Sequence, residues 1–287
     1  MFRFRGEAMR IDAHQHFWSL ARGDYGWLTP ALGAIHRDFG PDDLEPLLAR
    51  HGICRTILVQ AAPTEAETAY LLDLAASTPF VAGVVGWTDF DAGNAAERIA
   101  SLAGNSLLLG LRPMVHDIAD EGWLARASLG PAFRAMAEHG LIFDALLKPR
   151  HIAPMLAVLE RHPELSVVID HGAKPDLARG EITAWRTGMT ALAAHPQVFC
   201  KLSGLVTEAR TDWTLATLRP VVEHLLDAFG PARLIWGSDW PVVTLRASYA
   251  QWFGAADALL AALPDAQREA ILGGNARRLY LSQRGRN

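Results

Sequence analysis

The chain has 287 residues, half of them hydrophobic and 20% charged, a balance that buries a sizeable core and leaves little for disorder. A formal net charge of -4 gives no electrostatic footprint for a nucleic-acid backbone or an anionic membrane, so the expected partner is a small molecule. No run approaches the roughly 20 apolar residues of a bilayer span, and the opening Met1-Phe2-Arg3-Phe4-Arg5-Gly6-Glu7-Ala8 lacks the apolar stretch of a secretion signal, so a cytoplasmic location is expected.

In chain order, short β-branched or aliphatic runs alternate with longer segments of helical period, the pattern of βαβ units around a parallel sheet. Strands are predicted over 10–13, 55–60, 81–86, 107–112, 141–146, 166–170, 198–202 and 233–236. Helical stretches fall between them, among others over 65–76, 95–103, 131–139, 152–162, 181–194 and 215–229. Eight such units match the roughly 250 residues of a single (β/α)8 barrel of the TIM type. A doubly wound open sheet would carry a Gly-rich phosphate turn after its first strand, and histidines stand there instead. With Met9 directly before the first strand, residues 1–8 read as an N-terminal extension or an added remnant, and 9–287 as one barrel domain. The longest irregular segment, 17–42, holds Trp18, Tyr25 and Trp27 and is expected to form a structured lid. Cys54 and Cys200 each sit in an apolar run and are expected to be buried, reduced thiols.

Active sites of such barrels lie at the C-terminal ends of the strands. The first strand ends in Asp12-Ala13-His14-Gln15-His16, where period-two alternation sends both histidines to one side. The sixth ends in Asp170-His171-Gly172-Ala173-Lys174, the seventh in Cys200-Lys201-Leu202-Ser203 and the eighth in Gly237-Ser238-Asp239-Trp240-Pro241, so ionisable groups return to the same rim. His14, His16, His171 and Asp239 are the candidate catalytic residues, and they double as ligands should one divalent ion such as zinc be bound. Arg112, ending the fourth strand, is a candidate for a substrate hydroxyl or carbonyl, or else a structural clamp. Trp18, Trp87 and Trp240 suit the C–H face of a sugar ring but are also ordinary core fillers. Lys201 is a weaker substrate-binding candidate that could simply extend to solvent, and Lys174 pairs with an anion or is solvated. His36, His51, His116, His139, His151, His162, His195 and His224 read as surface residues.

The Asp-x-His-x-His first strand, Asp170-His171 and Gly237-Ser238-Asp239-Trp240-Pro241 resemble the amidohydrolase superfamily. The strings Ile11-Asp12-Ala13-His14-Gln15-His16-Phe17-Trp18, Val84-Val85-Gly86-Trp87 and Cys200-Lys201-Leu202-Ser203-Gly204-Leu205 are similar to its sugar-lactonase branch, which includes L-fucono- and L-rhamnono-lactonases. The resemblance runs from Met9 to Tyr280 and implies that Asp239 activates water, with His14, His16 and His171 around the substrate carbonyl. It implies a lactonase that requires no metal. The chain departs from the two-metal members, for the fifth strand offers Phe143-Asp144 and the seventh Lys201 and Ser203 where those members hold a carboxylated lysine or glutamate and a further histidine. Two other functions fit the same residues: a mononuclear-zinc decarboxylase or hydrolase of another ester or amide, which would lose activity on chelation, and a binding protein, which would tolerate Asp239→Asn and turn nothing over.

Overall fold

The computed structural model describes residues 9–282. The reading of residues 1–8 lies outside them. Eight parallel strands run in sequence order through one sheet: β1 (Arg10–Gln15), β2 (Ile53–Val59), β3 (Val81–Gly86), β4 (Leu108–Leu111), β5 (Ile142–Ala145), β6 (Val167–Ile169), β7 (Val198–Leu202) and β8 (Leu234–Trp236). Its edges meet where the Asp239 N–H donates to His14 O at 2.8 Å and the His16 N–H to Trp240 O at 2.7 Å. The result is the expected (β/α)8 barrel, with strand ends within about two residues of the sequence reading.

Helices α1 (Pro41–His51), α2 (Glu65–Ser77), α3 (Ala95–Ala103), α4 (Gly130–Glu138), α5 (Ile152–Arg161), α6 (Thr183–Ala193), α7 (Leu215–Phe229), α8 (Tyr249–Leu260) and α9 (Asp265–Glu269) accompany the strands. Two apolar cores follow from the pleat. Ile57, Val59, Val85, Leu109, Ile142, Val168 and Ile235 fill the barrel, while alternate residues such as Leu58, Val84, Leu108, Phe143 and Val167 pack outward in the larger cluster with the helices. Beyond α9 the chain winds under the barrel and adds Ala276, Leu279, Tyr280 and Leu281 to the inner core.

β1 carries the detail that builds the site. Between Asp12 and Gln15 it advances three residues while β2 advances two, from Thr56 to Leu58. Ile11, before this bulge, and Ala13, within it, belong to the inner core. Gln15, after it, donates from Nε2 to the outward Thr56 Oγ1 at 3.1 Å. The extra residue therefore reverses the side-chain phase and brings His14 and His16 inward.

Segment 17–42 forms two short helical turns, Leu20–Arg22 and Pro30–Ile35. Trp18 and Phe39 exchange two backbone hydrogen bonds of 3.0 Å at its base, and Phe17, Trp18, Tyr25, Leu28, Ile35 and Phe39 bury their side chains within and beneath it. Cys200 is buried, whereas Cys54 is only half-buried, on the outward phase of β2 near the Arg10 carbonyl. Two histidines read as surface residues lie inside: His151 accepts from the Lys148 N–H at 3.1 Å and so caps the turn into α5, and His162 packs its ring 5.4 Å from Phe133.

Candidate active site

His14, His16, His171 and Asp239 meet at the C-terminal mouth. Asp239 Oδ1 lies 3.4 Å from His16 Nε2 and 3.8 Å from Nε2 of both His14 and His171, with all four side chains buried. Asp239 and His171 stand in the left-handed backbone region, at φ 58° and 53°. Such turns aim both side chains into the mouth instead of along the chain. Gly204 follows β7 at φ +60°, and a Cβ there would lie 2.5 Å from His171 Nδ1, so only glycine admits the ring.

Each imidazole is oriented by its rear nitrogen. His16 Nδ1 donates to Val59 O at 2.7 Å, which points Nε2 toward Asp239 Oδ1. A proton or a metal ion between these two atoms, 3.4 Å apart, would bind both. His171 Nδ1 sits 2.8 Å from Ser203 Oγ. Burial lowers the His171 pKa to about 4, beyond what Asp239 restores, so its ring is neutral at pH 7. Burial also depresses His14 well below the ordinary histidine value, although Asp170 opposes this. Asp239 is itself burdened by burial, but His171, His16 and His14 around it hold its carboxyl below the usual range and it stays ionised.

Behind His14 lies a charged layer that the sequence reading placed only in part. Lys201 is 0% exposed and does not reach solvent; its Nζ contacts Asp144 Oδ2 at 2.5 Å, Asp170 Oδ1 at 3.0 Å and His14 Nδ1 at 3.2 Å. Burial opposes its charge, yet Asp144 and Asp170 raise its pKa and keep it an ammonium ion. Arg112 closes the other side: Nη1 is 3.2 Å from His14 Nε2 and 3.5 Å from Asp170 Oδ2, and Nη2 donates to Gln60 O. Its buried Nε–H has no partner among the described residues. In this layer two cations, Arg112 and Lys201, face two carboxylates, Asp144 and Asp170.

The three tryptophans are placed differently from one another. Trp87 is half-buried beyond β3, with its backbone N–H on Thr68 Oγ1 at 2.8 Å. Trp18 is enclosed, donates from Nε1 to Arg37 O at 2.7 Å and packs edge-on to Trp27 and Phe39. Trp240 is packed edge-on to Phe17 and Phe39. Trp27, which the sequence marked only as a loop aromatic, is half-exposed and donates from Nε1 to Ala61 O at 2.7 Å, beyond the end of β2. Lys174 pairs with Glu208 at 2.7 Å.

The family model for amidohydrolases matches residues 11–281. This chain belongs to the amidohydrolase family. The amidohydrolase is 50% identical to an L-fucono-1,5-lactonase of Burkholderia ambifaria over 278 residues, covering 94% of this chain and 95% of that one. It is 38% identical to an L-fucono-1,5-lactonase of Burkholderia multivorans, over 95% of this chain and 96% of that one. A crystal structure of a Burkholderia multivorans amidohydrolase with bound zinc matches at a TM-score of 0.90 and 38% identity, covering 95% of this chain and 99% of that one.

The residues of this amidohydrolase fit a divalent ion. His14, His16 and Asp239 bring ligand atoms within 4.8 Å of one another, and tetrahedral zinc ligands stand about 3.3 Å apart. His16, donating from Nδ1 to Val59 O, presents Nε2 in the form a metal takes. His14 is more crowded, because Arg112 and Lys201 set a fixed cation 3.2 Å from each of its ring nitrogens and Asp170 Oδ1 lies 3.3 Å from Nδ1.

Proposed function

We propose that this amidohydrolase opens an aldonolactone of the L-fucono-lactone kind with water deprotonated by Asp239. The observation that carries the reading is the convergence of three imidazoles on one buried, ionised carboxylate, in a chain half identical to a lactonase. A lactone carbonyl at the mouth meets donors from the neutral His171 ring and from the Arg112 Nε–H, which has no partner among the described residues. Asp239 takes a proton from water as its oxygen bonds to the carbonyl carbon, and the carbonyl electron pair moves to oxygen as an oxyanion. The tetrahedral centre then reforms the carbonyl, breaks the ring C–O bond and leaves an alkoxide that takes the proton back from Asp239. The product is the hydroxy acid, and the carboxylate is regenerated.

A bound divalent ion would supply Lewis acidity to the carbonyl. The reaction does not depend on it in this reading, since Arg112 and Lys201 already bring positive charge to His14. Trp27 over the end of β2 and half-buried Trp87 supply apolar faces for the sugar ring, beneath the 17–42 loop acting as a lid. Trp18 and Trp240 contribute by shaping that loop. A cytoplasmic setting suits the two free cysteines. No helix among the described residues is long and apolar enough to cross a membrane.

The test is a panel of aldonolactones assayed by proton release at neutral pH, with and without chelator, on wild type and Asp239→Asn. The wild type is expected to hydrolyse a member of the panel and to keep its rate on chelation, while the variant loses roughly 10²–10⁴-fold in kcat. Activity that collapses on chelation and returns with zinc would overturn the metal-free step. Near-normal turnover by the variant would remove Asp239 as the base.

A further inference from the structure

Tyr280 stands at the opposite end of the barrel from the mouth, in the wound segment Arg277–Leu281 that plugs the strands' N-terminal face, and its side chain is buried in the inner core. A phenol could fill that space by its ring alone, yet its hydroxyl reaches up to donate to Asp144 Oδ1 at 2.7 Å. The other oxygen of that carboxylate, Oδ2, holds Lys201 Nζ at 2.5 Å, and the same ammonium group stands 3.2 Å from His14 Nδ1. The path from Tyr280 to His14 is thus three contacts long and wholly buried. Among the described residues each oxygen of Asp144 has one partner, so the Tyr280 hydroxyl sets how the carboxylate is turned toward Lys201, which Asp170 Oδ1 also holds at 3.0 Å.

We propose that Tyr280 is a positioning residue for the reaction, holding the His14 imidazole in place through Asp144 and Lys201. The proposal rests on the lactonase reading of the site. Loss of the hydroxyl frees Asp144 Oδ1 to turn toward Lys201 and draw the ammonium group off His14, which moves the ring away from the reacting carbonyl without altering any group that touches substrate. Phenylalanine keeps the ring, which lies 5.6 Å from Lys201 Nζ, so Tyr280→Phe isolates the hydrogen bond from the packing.

The experiment compares Tyr280→Phe, Leu279→Ala and Asp144→Asn, and the double variant of positions 144 and 280, on the best lactone of the panel, with thermal melting alongside. Leu279→Ala removes inner-core packing from the same plug without touching the relay. Tyr280→Phe is expected to lower kcat roughly 3- to 10-fold, the loss of one buried hydrogen bond, with KM unchanged. Leu279→Ala is expected to lower Tm with kcat intact. In the Asp144→Asn background, Tyr280→Phe is expected to add little, because the path is already cut. A wild-type kcat in Tyr280→Phe, or equal kcat losses in Tyr280→Phe and Leu279→Ala in proportion to their Tm, would overturn the positioning role while leaving the lactonase reading standing. A wild type that opens no lactone would remove both.

Discussion

Asp239 sits at φ 58°, a conformation that Asn and Asp tolerate far better than other residues with a side chain. Asp239→Asn therefore removes the proposed base while keeping the turn, whereas alanine would mix lost chemistry with backbone strain. Gly204 makes the complementary point. A methyl group there would meet His171 Nδ1 at 2.5 Å and Cγ at 2.7 Å, with the backbone held at φ +60°. Gly204→Ala is expected to drive the ring off Ser203 and to lower kcat by about 10²-fold, the scale of a misplacement near 1 Å. Steady-state kinetics on protein shown to be folded by circular dichroism checks it, and a wild-type kcat would mean that His171 does not need its place beside Ser203. The four residues at the mouth were legible because each ends an apolar strand run. Lys201 was legible only as a candidate, since what fixes it comes from Asp144 on β5 and Asp170 after β6. Tyr280 offered no local signal at all: it reads as one more apolar residue near the end of the chain, and its hydroxyl gains meaning only once the barrel closes over it.

Among the elements, α2 carries the best test of electrostatics near the mouth. Glu67, in its first turn, folds back so that its carboxylate accepts from the Ala61 N–H at 2.9 and 3.0 Å and from the Ala62 N–H at 2.7 Å, closing the loop on which Trp27 rests. Burial raises its pKa to about 7, against which the two backbone donors pull only in part. Between about pH 4.5 and 7 the folded state keeps a proton that the unfolded state has released, so stability falls as pH rises through that window and the loss is complete above it. Glu67→Gln does not titrate. Its stability relative to wild type is expected to climb across that window, by on the order of 3 kcal/mol at most, as read from denaturant midpoints at a series of pH values. A difference flat in pH would show that Glu67 ionises normally. Elements of strong period were the legible ones: α3 and α7 fall where the sequence put them. The bulge in β1 was not legible, because an extra residue in a strand shows itself only against the partner it slips past.

For the whole molecule, the seam that closes the barrel and the candidate active site share the same stretches of chain. Asp12 ties the seam from outside the reaction: Oδ1 accepts from the Ser238 N–H at 2.8 Å and the His14 N–H at 3.2 Å, and Oδ2 from the Tyr249 hydroxyl at 3.1 Å on α8. Burial pushes its pKa up to about 6, so its charge at neutral pH depends on those donors. Gly237 completes the fit, since a Cβ there would stand 2.7 Å from His14 Cβ. Asp12 thus sets the backbone of His14 against that of Ser238, one residue before Asp239. Asp12→Ala leaves three buried donors without an acceptor, each worth roughly 1–3 kcal/mol, and is expected to cost about 3 kcal/mol or more in chemical denaturation. Tyr249→Phe frees only Oδ2 and is expected to cost about 1 kcal/mol with kcat unchanged. Asp12→Ala should also lower kcat in the protein that remains folded, because His14 and Asp239 lose their common reference. If Asp12→Ala loses stability but keeps its kcat, then the backbone bonds from Asp239 to His14 and from His16 to Trp240 suffice to register the two strands, and Asp12 serves the fold alone.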